Sequence, residues 1–172
     1  MTSTVIIIPS RLKAKRLPNK PLKLIKGKEI ILHVYNLAVK SGAGEVLVAT
    51  PDETISKLIE SNGGKSFLSK EPHETGTDRV FEGFKTFYSS KPKIIINLQG
   101  DMPNLDPNSI LFLSDYLNKG LCDVATLASS LKNKTEIEDK NVVKVVTNHD
   151  IEKSGFSEAL DFKRAIDQTK NK

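Results

Sequence analysis

Tryptophan is absent from these 172 residues, aromatic residues make up only 6%, and there is a single cysteine, Cys122. One cysteine excludes an internal disulfide and fits a reducing compartment. Beside an expected strand, this thiol reads as buried and inert. The net charge of +5 would admit a nucleic-acid partner, but the scarcity of aromatics gives little basis for a stacking platform. No apolar run has the length of a membrane span. The first apolar run is too short for a signal peptide and no cationic region precedes it. These absences lead us to expect a cytoplasmic chain with neither membrane nor nucleic acid as partner, its basic balance serving small anionic substrates.

What is present begins with Val5-Ile6-Ile7-Ile8-Pro9, an unbroken apolar run, followed by a loop carrying Arg11, Lys13, Lys15, Arg16 and Lys20. Continuous apolar runs are the mark of strands buried on both faces of a parallel sheet, and ligands sit beyond the carboxyl ends of such strands. Phosphate suits a cationic loop there, since Arg offers a fork of donors and Lys a point charge. A solvated surface loop is the competing reading. Pro18 and Pro21 favour the ligand, because they stiffen the loop enough to hold its cations in one arrangement.

Strand-like and helix-like segments then alternate. Strands are expected at Thr4–Ile8, Glu45–Ala49, Lys65–Leu68, Lys93–Leu98 (a central strand), Val124–Ala128 and Val142–Thr147. Ile30, Val34, Leu37 and Ala38 repeat at helical spacing, with Gly42 as a C-terminal cap. Thr50-Pro51-Asp52-Glu53 reads as a helix start, with Thr50 capping, Pro51 at the first position and Glu53 closing a capping box. Val80, Phe84 and Phe87 mark a third helix, and Asp106-Pro107 opens a fourth. The alternation argues for an α/β fold with a doubly wound, mainly parallel sheet and helices on both faces. Asn148–Lys172 shows little periodicity and ends in a polar tail.

A parallel sheet would bring three loops to one edge: the basic loop, His73–Arg79, and Gln99-Gly100-Asp101-Met102-Pro103. Asp101 has two readings, a ligand for a hard cation such as Mg²⁺ and a simple turn residue. Gly100 permits a close backbone approach. Gln99 offers a donor and an acceptor to a hydroxylated substrate. His73 is a base or a structural residue. Thr75, Thr77 and Asp78 cap the next helix or leave its free N–H groups to a ligand. Arg79 binds a substrate carboxylate or pairs with a surface acid.

Taken together, the three loops resemble the 3-deoxy-manno-octulosonate (Kdo) cytidylyltransferases, or CMP-Kdo synthetases. The matching stretches are Ile6–Arg11, Arg16–Leu22, His73 with Thr75–Arg79, and Asn97–Pro103, with Val46–Thr50 and Val142–Val146 also similar. The resemblance implies a three-layer, mainly parallel (mixed) Rossmann-like sheet of the nucleotide-diphospho-sugar transferase type. It implies CTP and Kdo as substrates, Mg²⁺ as cofactor, and a homodimer. Arg11, Arg16 and Lys20 would hold the triphosphate, Thr75 and Gly76 would face the cytosine, Arg79 and Gln99 would touch the sugar acid, and Asp101 would bind the metal. Arg11, Lys20 and Asp101 would be the catalytic set. CMP would pass from CTP to Kdo, releasing pyrophosphate, in lipopolysaccharide biosynthesis.

Some positions depart from that family. Ala14 replaces a frequent hydroxyl residue, Lys13 and Lys15 add charge, and Met102 stands where an acid is common. Ala159–Ala165 faintly resembles the family's Ala-Leu-Tyr-Phe-Ser-Arg-Ala segment, after which the similarity stops. The family continues into a part that supplies most of the dimer interface, much of the sugar-acid pocket and a second metal aspartate, for which no match is found. The expected organisation is a CTP-binding domain at 1–147 and a divergent tail at 148–172, a fold incomplete at its C-terminus. Two other functions stand beside the first: a nucleotide-binding remnant without activity, and a sialic acid cytidylyltransferase.

Overall fold

A computed structural model describes residues 4–13, 17–88 and 91–165. The chain divides into two compact units, residues 1–125 and 126–172.

The first unit is built on β1 (Thr4–Pro9), every residue of which is buried. Its neighbours are β4 (Glu45–Thr50) and β6 (Ile94–Asn97), both parallel to it, with Ile7 opposite Leu47 and Ile6 opposite Ile96. β5 (Lys65–Leu68) pairs in parallel with β4, giving the order β5-β4-β1-β6. A separate hairpin of β2 (Leu24–Ile25) and β3 (Lys28–Glu29) leads into α1 (Ile30–Ser41), which ends on Gly42 at φ 64°. That left-handed conformation is one glycine adopts without steric cost.

The apolar run of β1 is continuous because both faces of the sheet are covered. Ile6 and Ile8 share a core with Ile31 and Val34 of α1, with Ile55 and Ile59 of α2 (Glu53–Ser61), and with Ile110 of α4 (Pro107–Asn118). Val5 and Ile7 point the other way, to Leu47, Ala49 and Val80 of α3 (Gly76–Phe87). The expected doubly wound α/β fold is therefore present. Asp106 caps α4, as its place before Pro107 suggests, by accepting from the Asn108 amide at 3.0 Å.

Four expectations are corrected. β6 is the edge of the sheet among the described residues: it pairs with β1 alone, and Ile95 and Asn97 on it are exposed. An apolar run signals burial, but not how many strands flank it. Residues 124–128 form no strand, and Val124 is 85% exposed. Cys122 is exposed, since the strand expected to shelter it is missing. The second helix starts at Glu53 with Asp52, not Thr50, at its cap. Thr50 is still the last residue of β4, and its hydroxyl accepts from the Asp52 amide at 3.1 Å.

The second unit contains α5 (Lys134–Glu138), β7 (Lys144–Thr147), α6 (Ile151–Ser154) and β8 (Ala159–Lys163). β7 and β8 form an antiparallel pair, with Val145 opposite Phe162. The stretch that looked aperiodic thus carries a strand: Leu160-Asp161-Phe162-Lys163 does alternate apolar and polar, but the run is short and all five residues of β8 are exposed. Lys144 is 3% exposed, and its ammonium donates to the Asp139 carbonyl and, at 3.0 Å, to that of Arg164.

Candidate active-site cleft

Parallel strands deliver their following loops to one edge, and here those loops enclose a cleft of about 290 Å³. It is lined by Pro9, Ser10 and Arg11 after β1, Lys20 and Pro21 from the same loop, Gly76 and Arg79 of α3, and Gln99, Gly100 and Asp101 after β6. Of the candidate site residues, Arg11, Lys20, Gly76, Arg79, Gln99 and Asp101 come together. Arg16 lies outside the described residues.

Backbone geometry makes the cleft possible. The Ser10 amide donates to the Ala49 carbonyl at 2.9 Å and the Leu98 amide to the Ile7 carbonyl at 3.0 Å, so both loops leave the sheet at fixed points. Gly100 then passes close to β1. A Cβ there would lie 2.9 Å from the Pro9 carbonyl oxygen, a contact that only glycine avoids without backbone movement. The Lys20-Pro21-Leu22 turn, entered through Asn19 at φ 54°, buries Pro21 and brings Lys20 back over the cleft.

Opposite charges meet across this space. The Lys20 ammonium lies 2.7 Å from Oδ2 of Asp101, both side chains being partly exposed. Such an exposed pair contributes about 0–1 kcal/mol to stability, so its placement matters more than its strength. Arg79 differs: it is 4% exposed, and its Nε has no hydrogen-bond partner among the described residues. Burial, and then the neighbouring charge of Arg11, holds its pKa below the ordinary arginine value, while Asp52 and Glu82 oppose that shift. A buried cation beside a second cation, with a donor unused, is a site prepared for an anion. Ser10 adds a buried hydroxyl that also lacks a partner among the described residues. Sequence reasoning gave Ser10 no role, and its place directly after the apolar run was the available signal.

Gln99 donates to Oδ1 of Asn97 at 3.1 Å, and Asn97 donates to Thr77 at 3.3 Å, tying the third loop to the start of α3. Thr75 does not line the cleft. Its hydroxyl accepts from the Asp78 amide at 3.1 Å while the Asp78 carboxylate accepts from the Thr75 amide at 3.1 Å, the reciprocal arrangement of a capping box, and the Thr75 hydroxyl also donates to that carboxylate at 2.6 Å. These bonds from Thr75 hold the Asp78 carboxyl below its usual pKa. His73 lies outside the cleft too. Its Nε2 is 3.2 Å from Glu82, and its Nδ1 is 3.3 Å from the Ser69 hydroxyl, which is a structural setting.

A family model described as cytidylyltransferase matches residues 5–169. The chain belongs to the cytidylyltransferase family. It is 40% identical over 162 residues to the 3-deoxy-manno-octulosonate cytidylyltransferase of Wigglesworthia glossinidia brevipalpis, covering 94% of this chain and 64% of that one. The enzyme of the same name from Pasteurella multocida is 36% identical over 149 residues, covering 87% and 58%. Among solved structures, a CMP:2-keto-3-deoxy-manno-octonic acid synthetase complexed with CTP superposes with a TM-score of 0.84 at 36% identity, covering 98% of this chain and 67% of that one. This cytidylyltransferase chain thus spans less than two thirds of the length of these curated relatives.

Proposed function

We propose that the chain binds CTP in this cleft and carries the transfer of CMP to Kdo, giving CMP-Kdo and pyrophosphate. The observation that carries the reading is the convergence of Arg11, Lys20 and the buried Arg79 with Asp101 in one cleft, in a chain 36% identical to a relative solved with CTP. Arg11 and Lys20 hold the triphosphate, joined by Arg16 of the same loop. The backbone at Gly76, which lines the cleft at the start of α3, faces the base. Arg79 takes the carboxylate of the sugar acid and Gln99 its hydroxyls. The anomeric hydroxyl of Kdo gives up its proton to water as its oxygen attacks the α-phosphorus, the bond from that phosphorus to the bridging oxygen breaks, and pyrophosphate leaves. This work is positioning and charge neutralisation, which suits a cleft of fixed cations.

Asp101 is the one acid among the described residues lining the cleft. It fits Mg²⁺ in the way this ion is commonly held, by one or two carboxylates together with substrate phosphates and water. Bound there, the ion would neutralise phosphate charge. The resemblance further supports a homodimer, for which sedimentation is the direct test.

Calorimetric titration with CTP and Mg²⁺, followed by a pyrophosphate-release assay with Kdo, tests the reading. Binding with release only when Kdo is present supports transfer. Binding without release favours a nucleotide-binding remnant, a reading motivated by the single acid in the cleft. Release with sialic acid in place of Kdo reassigns the acceptor. Absence of CTP binding overturns the proposal. Arg11→Ala is expected to weaken CTP binding about 10- to 100-fold, the range of a lost charge-assisted hydrogen bond.

A further inference from the structure

We infer that Asp52 is a positioning residue for the phosphate-binding loop, clamping the backbone just after Arg11 from the far side of the β1–β4 ladder. The inference rests on the CTP-binding reading of the cleft.

The first ground is what Asp52 does not do. An aspartate at a helix N-cap ordinarily accepts from the free amides of the first turn. Asp52 occupies that position on α2 in extended conformation, yet its side chain makes no capping bond. Its Oδ2 instead accepts from the Leu12 amide at 2.8 Å, 40 residues upstream. The helix start holds the residue firmly, because its carbonyl accepts from Ile55 at 3.0 Å and Ser56 at 3.1 Å.

The second ground is where the bond falls. In a parallel pair, alternate amides of a strand turn toward the same neighbour. Ser10 makes the last such backbone bond from β1, to Ala49. Leu12 is two residues further on, where β4 has ended at Thr50. The Asp52 carboxylate takes the place of the missing carbonyl. Arg11 is therefore bracketed by two tethered amides while its side chain stays exposed at the cleft. The Leu12 side chain packs against the core, so its amide is partly removed from water and needs a partner.

Charge supports the same role. Asp52 is one of two acids acting on Arg79, the other being Glu82, and Arg11 is the cation opposing them. An acid beside the basic loop lets two arginines remain close before any anion arrives.

The test compares CTP affinity in wild type, Asp52→Ala, Asp52→Asn and Glu53→Ala. It is joined by residue-resolved amide exchange without nucleotide. Asp52→Ala is expected to weaken CTP binding about tenfold and to speed exchange at Leu12. Asp52→Asn keeps an oxygen acceptor and should stay within about threefold of wild type. Glu53 pairs with Lys57 at 2.8 Å in solvent, and Glu53→Ala should change nothing. In the wild type the Leu12 amide should exchange about tenfold more slowly than that of Lys13. CTP affinity unchanged or tighter in Asp52→Ala overturns the inference, as a purely electrostatic acid would give tighter binding of an anion. An equal loss in Asp52→Asn and Asp52→Ala also overturns it, as do equal exchange rates at Leu12 and Lys13. Wild-type protein that fails to bind CTP refutes the nucleotide reading instead, and the exchange rates then decide whether the clamp exists.

Discussion

Strands β1 and β8 are both flanked by sequence that resembles the same family, yet every residue of one is buried and every residue of the other is exposed. The first lies between two layers of helices. Among the described residues the second pairs only with β7, in the unit spanning residues 126–172, where Phe156, Leu160 and Phe162 are each more than half exposed. The difference is one of partners. Each residue in β1 buries its side chain under one of two helical layers while its backbone pairs with strands on both edges, so no position of the strand faces water. A residue in β8 answers to one strand. All of the cleft belongs to the first unit, and rigid placement of its charged groups follows from that double-faced core.

The contrast is broken most sharply by truncating matched residues. Ile7→Ala removes a fully buried side chain between β1, β4 and α3, and should cost about 3–5 kcal/mol by the cavity it leaves. Phe162→Ala, at a side chain 55% exposed, should cost less than about 1 kcal/mol. Urea denaturation of both variants measures this, and equal costs would refute the asymmetry. Glycines give the next largest effect. Gly100→Ala pushes a Cβ against the Pro9 carbonyl oxygen and should cost about 1–3 kcal/mol while weakening CTP binding. Gly155→Ala meets no atom within 4 Å and carries only the strain of φ +75°, about 1 kcal/mol, with no effect on CTP.

Among the described residues, the second unit has one buried charge to set against its exposed apolar residues. Lys144→Met keeps the stem and removes the ammonium that joins the Asp139 and Arg164 carbonyls. A loss of about 1 kcal/mol is expected, with faster proteolysis confined to residues 126–165. Proteolysis unchanged would show that the apolar residues hold this unit after all.

Legibility in the sequence followed the same division. The β1 run, the helix carrying Val34 and Leu37, and the Asp106-Pro107 start were readable because burial or capping chemistry is written locally. The three loops at the carboxyl edge were readable as a group, because parallel topology implies that they meet. The start of α2 was misjudged, since Thr50 and Asp52 are both acceptable caps and only the end of β4 decides between them. The edge position of β6 depends on its neighbours and leaves no mark on Ile94-Ile95-Ile96. Ser10 and Asp52 were passed over for a different reason: a single serine or aspartate has no spacing to betray it, and the bond from Asp52 to Leu12 crosses 40 residues.

The smallest expected effect near neutral pH comes from a group on the second face of the main sheet. Tyr88 packs against the core of Val5, Ile7 and Leu47, and its buried hydroxyl has no partner among the described residues. Burial, and then the charge of Glu45, pushes its pKa up to about 12 from 10.0. Deprotonation is therefore harder in the folded protein than in the unfolded chain. The stability contributed by the neutral phenol is complete below pH 10 and is lost as pH rises from about 10 to about 12. Tyr88→Phe removes the titrating group along with an unsatisfied hydroxyl. Stability measured at pH 9 and again at pH 11.5 should fall further in the wild type than in Tyr88→Phe, with the two proteins nearly equal at pH 9. Parallel declines would mean that the face covered by α3 is open to water, and the contrast between the two units would then lose its second buried layer.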